Sequence, residues 1–115
     1  MHELSLVSNI LEIVEDCAIR EGASSIRVVS LRVGANSGVE PEALEFAFEV
    51  ARQGTLAQDA RLEVEYVPLR ALCEVCALEF EVSDRYGIAV CPSCHRTVSK
   101  FVRGEELEVR SLEVV

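Results

Sequence analysis

Basic residues are scarce in this sequence. Eleven lysines and arginines stand against twenty aspartates and glutamates, so the net charge is −9. No stretch of the chain is locally basic. A chain this acidic repels phosphate backbones, which argues against nucleic acid as a partner.

Long apolar runs are also missing. No stretch approaches the roughly 18 apolar residues that indicate a membrane-spanning helix. The start lacks the basic segment and apolar block of a secretory signal peptide. We therefore expect a cytoplasmic protein with no membrane span. Thiols stay reduced in that compartment, so the five cysteines indicate metal or redox work rather than structural disulfides.

The first part of the chain carries a helical pattern. Apolar residues recur at spacings of three and four over residues 4–20, in two adjoining stripes, which predicts a helix with one wide apolar face. Cys17 falls within this set and is predicted to be a buried core thiol. Gly22 stands where such a helix should end.

Three strands and a second helix follow from the remaining pattern. β-branched residues fill Ile26–Val33, Pro41 suits the first turn of a helix, and Leu62–Val67 alternates with Leu62, Val64 and Tyr66 facing inwards. Residues 105–115 read as a third strand. The order strand, helix, strand predicts a parallel pair with a right-handed crossover.

Residues 71–99 differ from the rest, since they hold four cysteines and few large apolar side chains. The predicted fold is therefore α+β. A small mixed three-stranded sheet with two helices comprises 1–70 and 100–115, and a zinc-ribbon-like module, 71–99, is inserted in it.

The cysteines of this module form two C-x-x-C pairs, with fourteen residues between the pairs. The pairs are Cys73 with Cys76 and Cys91 with Cys94. Two such pairs joined by a hairpin, for which LEFEVSDRYG is the candidate, predict a closed, structural zinc site. A rubredoxin-like iron site is an alternative, although the aromatic packing of rubredoxins is mostly absent. Two redox pairs are another, although neither follows a strand and opens a helix.

One of the two histidines lies at the amino terminus, in MHELSL. We expect Met1 to be retained, because its removal requires a small second residue. The α-amine of Met1, the backbone nitrogen of His2 and the Nδ1 atom of His2 can chelate one ion in five- and six-membered rings. Ni(II) or Cu(II) suits this square-planar set. One corner stays open, which favours delivery over storage, although by position alone His2 reads as an ordinary exposed residue.

The sequence resembles the hydrogenase nickel incorporation proteins of the HypA/HybF family. The resemblance rests on MHELSL, on LRVGANSGVEPEALEFAFE and on the C-x-x-C and CPSCH motifs. It implies a nickel metallochaperone for [NiFe] hydrogenase maturation, with nickel at Met1, His2 and Glu3 and zinc on the four paired cysteines. It also associates Glu40, the acidic residue before the proline of the second helix, with the nickel site.

The resemblance further implies two partners, the nickel-handling GTPase HypB and the precursor of the hydrogenase large subunit. We take His95, directly behind CPSC, as a further candidate ligand between the zinc module and the nickel site. Nothing in the sequence resembles a nucleophile with a base and an orienting group, so we expect no enzyme activity. The alternative function is a zinc-ribbon interaction or regulatory adaptor without nickel transfer.

Overall fold

The computed structural model describes residues 3–84 and 86–115, which form two helices and eight strands. The elements in chain order are α1 Glu3–Arg20, β1 Ile26–Gly34, α2 Pro41–Ala51, β2 Arg61–Val67, β3 Arg70–Cys73, β4 Leu78–Glu81, β5 Ala89–Val90, β6 Thr97–Val98, β7 Phe101–Arg103 and β8 Leu107–Val114. Both predicted helices and all three strands predicted outside the cysteine module are present. No helix in the described ranges is long and apolar enough to cross a membrane.

The strands form three small sheets. The sheet β2-β1-β8 is made of the three strands predicted outside the cysteine module. Contacts between β1 and β2 advance in the same direction along both strands, and contacts between β1 and β8 advance in opposite directions. These contacts are Ser30–Glu63 and Arg32–Glu65 for the first pair, and Gly34–Glu106 and Ser25–Val115 at the two ends of the second pair. The sheet is therefore mixed, and the predicted α+β class is confirmed.

The chain divides into two compact units. The first comprises the chain up to Arg32, together with Gly38–Glu65 and Glu108–Val115. Its helices α1 and α2 pack against each other, and its buried apolar side chains come mainly from α1, β1 and α2. The second comprises Val33–Ser37 and Tyr66–Leu107, and it contains the sheets β4-β3-β7 and β5-β6.

Helix α1 buries one apolar stripe instead of a wide face. The stripe is Val7, Leu11, Val14 and Ala18. The adjoining stripe is half-buried or exposed, and the prediction of a buried Cys17 is wrong because this thiol is exposed. Residues in a helix follow one another at about 100°, so two stripes point in different directions. Within the first unit α1 packs against a single helix, α2, and only the first stripe is buried.

Two further details concern the ends of elements. Gly22 does end α1, with a φ of +72° and with Ala23 N–H donating to Ala18 O at 2.9 Å, a Schellman arrangement. The inward placement of Tyr66 is wrong, since 44% of this residue is exposed. Tyr66 lies near the end of β2, which is an edge strand of its sheet, and even Leu62 and Val64 are only half-buried there.

Gly34→Ala is expected to lower the free energy of unfolding by about 2 kcal/mol or more. A Cβ on Gly34 would overlap the backbone C and O atoms of Gly104, which carry no flexible end that could give way. Gly22→Ala is the control, because its Cβ meets nothing within 4 Å and only the left-handed backbone costs about 1–2 kcal/mol. Urea denaturation of both variants measures the difference. A smaller loss for Gly34→Ala than for Gly22→Ala would contradict the close contact.

Candidate metal centre

The first cysteine pair lies at the tip of the hairpin formed by β3 and β4. The strands are antiparallel and pair Cys73 with Leu78, so Cys76 lies in the connecting turn. Ala77 closes this turn with a φ of +51°, a left-handed conformation that is uncommon for a residue other than glycine.

The second pair lies at the tip of the hairpin of β5 and β6 and repeats this design. Cys91 follows β5, and its N–H donates to Arg96 O at 2.9 Å. His95 donates its N–H to Cys91 O at 2.9 Å and has a φ of +63°. His95 therefore follows its pair as Ala77 follows the first, and the residue directly after each C-x-x-C motif is the one that takes this left-handed geometry.

The prediction of one hairpin between the two pairs, over LEFEVSDRYG, is wrong. Residues 78–81 of that stretch form β4, which pairs with the preceding strand β3, and the described residues 82–84, 86 and 87 belong to no strand. The Asp84 carboxylate accepts the N–H groups of Tyr86 and Ile88 at 2.8 and 3.1 Å. A C-x-x-C pair presents both thiols from one tight turn, so each pair occupies its own hairpin tip.

The two tips bring all four thiols together. The sulfur atoms of Cys73, Cys76, Cys91 and Cys94 lie within 4.8 Å of one another, and Cys73 Sγ and Cys94 Sγ are 3.7 Å apart. A tetrahedral zinc ion with Zn–S bonds of about 2.3 Å requires sulfur pairs about 3.8 Å apart. The separation is far longer than the roughly 2.05 Å of a disulfide. The four-cysteine cluster therefore fits a structural zinc ion with no open position for a further ligand.

The pKa values of two thiols in the cluster are shifted in opposite directions. Backbone N–H groups of Cys94 and Ser93 lower the pKa of Cys91 to about 7, against the opposing effect of burial. The neighbouring Cys94 thiol, together with burial, raises the pKa of Cys76 to about 11. Without a metal ion, four neutral thiols, or three thiols and one thiolate, attract one another only weakly. A divalent cation that replaces the protons supplies the missing attraction.

The second unit has little other material for a core. Its buried side chains are small or aliphatic: Val33, Val67, Leu69, Ala71, Cys73, Ala89 and Cys91. The aromatic packing of a rubredoxin would require buried aromatic rings, and none is among the buried residues described for this unit. Metal binding is therefore the main stabilising interaction available to it.

The predicted nickel residues are placed as follows. Met1 and His2 lie outside the described residues. Glu3 is the first residue of α1 and is half-buried. Glu40 is exposed at the N-cap of α2, and its carboxylate makes no capping hydrogen bond. His95 is exposed and is not part of the thiol cluster, which is the one group of three or more metal-ligating side chains within residues 3–84 and 86–115.

Comparison with known proteins identifies the family. A family model described as "Hydrogenase/urease nickel incorporation, metallochaperone, hypA" matches residues 1–114. The chain belongs to the HypA family. Two relatives named hydrogenase maturation factor HypA illustrate the similarity. The Geobacter sulfurreducens protein is 46% identical over 114 residues, covering 99% of each chain, and the Roseiflexus protein is 43% identical, covering 98% of this chain and 91% of its own.

Solved HypA structures share this fold. The solution structure of the Ni metallochaperone HypA from Helicobacter pylori matches with a TM-score of 0.68 at 29% identity, covering 100% of this chain and 98% of its own. A second solution structure of a HypA protein has a TM-score of 0.72 at the same identity. Membership in this family fits nickel as a transient cargo, and the four-cysteine cluster fits zinc as the resident ion.

Proposed function

We propose that this protein carries Ni(II) at its amino terminus and delivers it during [NiFe] hydrogenase maturation. The observation that carries the proposal is the HypA family match, which begins at residue 1 and so includes Met1-His2-Glu3. The relatives at 40–46% identity named hydrogenase maturation factor HypA support hydrogenase as the destination.

The amino terminus supplies the chemistry. The Met1 amine, the deprotonated amide of His2 and the His2 Nδ1 atom form two fused chelate rings around one square-planar ion. The fourth corner is open to Glu3 or to a ligand from a recipient. An open corner lets a recipient bind the nickel before the carrier releases it.

Glu40 and His95 are the further candidate ligands in this proposal. The carboxylate of Glu40 is not used to cap α2, so it is available to a cation. The imidazole of His95 is exposed and makes no hydrogen bond or ion pair within residues 3–84 and 86–115, where the backbone N–H of His95 donates to Cys91 O. Both side chains are therefore chemically free to bind nickel.

The zinc site is assigned to Cys73, Cys76, Cys91 and Cys94 and has a different task. Four thiolates close the coordination sphere, so the zinc ion is structural and does not exchange with the cargo. We accordingly assign nickel handling to residues 1–70 and 100–115 and zinc binding to residues 71–99.

The proposed partners are the GTPase HypB and the hydrogenase large-subunit precursor, met in the cytoplasm. In this account the protein is a carrier and not an enzyme. Its contribution is a change in the ligands of nickel, with no covalent bond made or broken in a substrate.

A transfer experiment tests the proposal. The untagged protein is loaded with radiolabelled nickel, freed of excess metal and mixed with HypB, GTP and the precursor. We expect the label to move to the precursor, and His2→Ala to reduce the amount carried at least tenfold. If the wild-type protein binds both partners but carries no label, it acts as a zinc-ribbon adaptor, and the nickel proposal is overturned.

A further inference from the structure

The acidity of the chain is concentrated in the first unit. Fourteen of the twenty acidic residues lie there, against six of the eleven basic ones, so this unit carries −8 of the net charge of −9. A surface of this sign attracts basic partners and repels acidic ones.

A groove with an apolar floor and a charged rim lies in this acidic surface, between α2 and the edge strand β2. It measures about 450 Å³, and buried Phe48 and Ala60 with half-buried Leu62 line it. Phe46 stands beside it with 72% of its surface exposed. Exposed apolar surface with a polar rim marks protein–protein interaction sites, and aromatic residues are enriched in such interfaces.

The rim of the groove is charged. On α2, Glu42 lies one turn before Phe46 and Glu45 directly precedes it. Neither carboxylate has an ion pair within the described part of the chain. The other charged rim residues are already engaged: Glu49 binds Arg52 at 2.8 Å and Arg61 binds Glu63 at 2.6 Å. Two carboxylates are thus left to meet cations from outside.

We propose that this groove docks a basic, amphipathic segment of a maturation partner. An apolar side chain of that segment packs against Phe46 and into the groove, and flanking lysines or arginines pair with Glu42 and Glu45. A second copy of this chain does not fit, because it would bring an equally acidic unit to the same rim.

The position of the groove connects it with nickel delivery, and this part of the inference rests on the proposed function. Glu40, a candidate nickel ligand, precedes Phe46 by six residues, which is about 9 Å along the axis of a helix. A partner segment held beside Phe46 therefore lies about 9 Å from this candidate nickel ligand.

Calorimetric titration with purified HypB and with the large-subunit precursor tests the docking surface. For at least one of them, Phe46→Ser is expected to weaken binding at least tenfold. Glu42→Gln with Glu45→Gln is expected to weaken it about tenfold and to reduce its dependence on salt. Nickel affinity and zinc content are expected to stay as in the wild type.

Helix α1 supplies matched controls. Ile13 is 58% exposed there and stands among the exposed carboxylates Glu12 and Asp16. Ile13→Ser, and Glu12→Gln with Asp16→Asn, are expected to change affinity less than about twofold. Equal losses on both helices, a loss on α1 alone, or no binding of either protein to the wild type would overturn the docking surface. Self-association that Phe46→Ser abolishes would assign the groove to a second copy instead. Loss of nickel binding in the wild type, with docking intact, would refute only the nickel proposal.

Discussion

Cys73→Ser is expected to remove stoichiometric zinc and to unfold the second unit, while α1 and α2 persist. The Cys73 side chain is 2% exposed and lies 3.7 Å from its neighbour Cys94. A serine hydroxyl is a poor zinc ligand. Zinc binding contributes roughly 10–16 kcal/mol to comparable small modules, more than the small aliphatic core of this unit can replace. Metal analysis gives the zinc content, and hydrogen exchange shows which strands lose protection.

Cys17→Ser is the matched control for this experiment. It makes the same chemical change at the remaining cysteine, which is exposed on α1 and outside the cluster. We expect full zinc content and unchanged exchange protection in this variant. Stoichiometric zinc in Cys73→Ser, or zinc loss in Cys17→Ser, would show that the four-cysteine assignment is wrong.

The second large effect is expected from the amino terminus, where a Gly-Ser pair added ahead of Met1 should weaken nickel binding at least tenfold. The addition keeps every side chain but converts the Met1 amine into a peptide nitrogen, so the proposed chelate would lose one metal–nitrogen bond. Each 1.4 kcal/mol of lost binding free energy is about tenfold in affinity. Competition with a chromophoric chelator measures the change, and His2→Ala should have a comparable effect.

A Gly-Ser pair added after Val115 controls for the added residues themselves. It leaves the amine and His2 untouched and is expected to keep wild-type affinity. All these variants should retain zinc, because the four thiols do not change. Wild-type nickel affinity in the amino-terminal extension would exclude the amine as a ligand. The site would then have to draw on other groups, of which Glu40 and His95 are the first to examine.

Local patterns were sufficient to predict most of the fold. The helix bounds follow from the spacing of apolar residues and from Gly22 and Pro41, which act within their own turn. The four-thiol cluster follows from the C-x-x-C spacing, because each pair needs only one tight turn to present two sulfur atoms.

The wrong predictions all depend on what packs next to a residue. Cys17 has an apolar position on its helix, but exposure depends on how much neighbouring structure exists to cover that side. Tyr66 occupies an apolar position in the alternating pattern of β2, which predicted burial. The pattern does not reveal that β2 is an edge strand, where this side chain stays exposed. The hairpin was misplaced because strand pairing was assigned to the stretch between the cysteine pairs, whereas β4 pairs with the strand before it. The groove beside Phe46 likewise needs β2 and α2 together, so no linear pattern predicts it.

The central claim, that this member of the HypA family carries nickel separately from its zinc, is tested most directly by one titration. Ni(II) is added to the untagged, zinc-loaded protein in a calorimeter, and the zinc content is measured before and after. The account predicts one nickel ion bound per chain with all of the zinc retained. No heat of binding, or nickel bound only as zinc leaves the four cysteines, would contradict it.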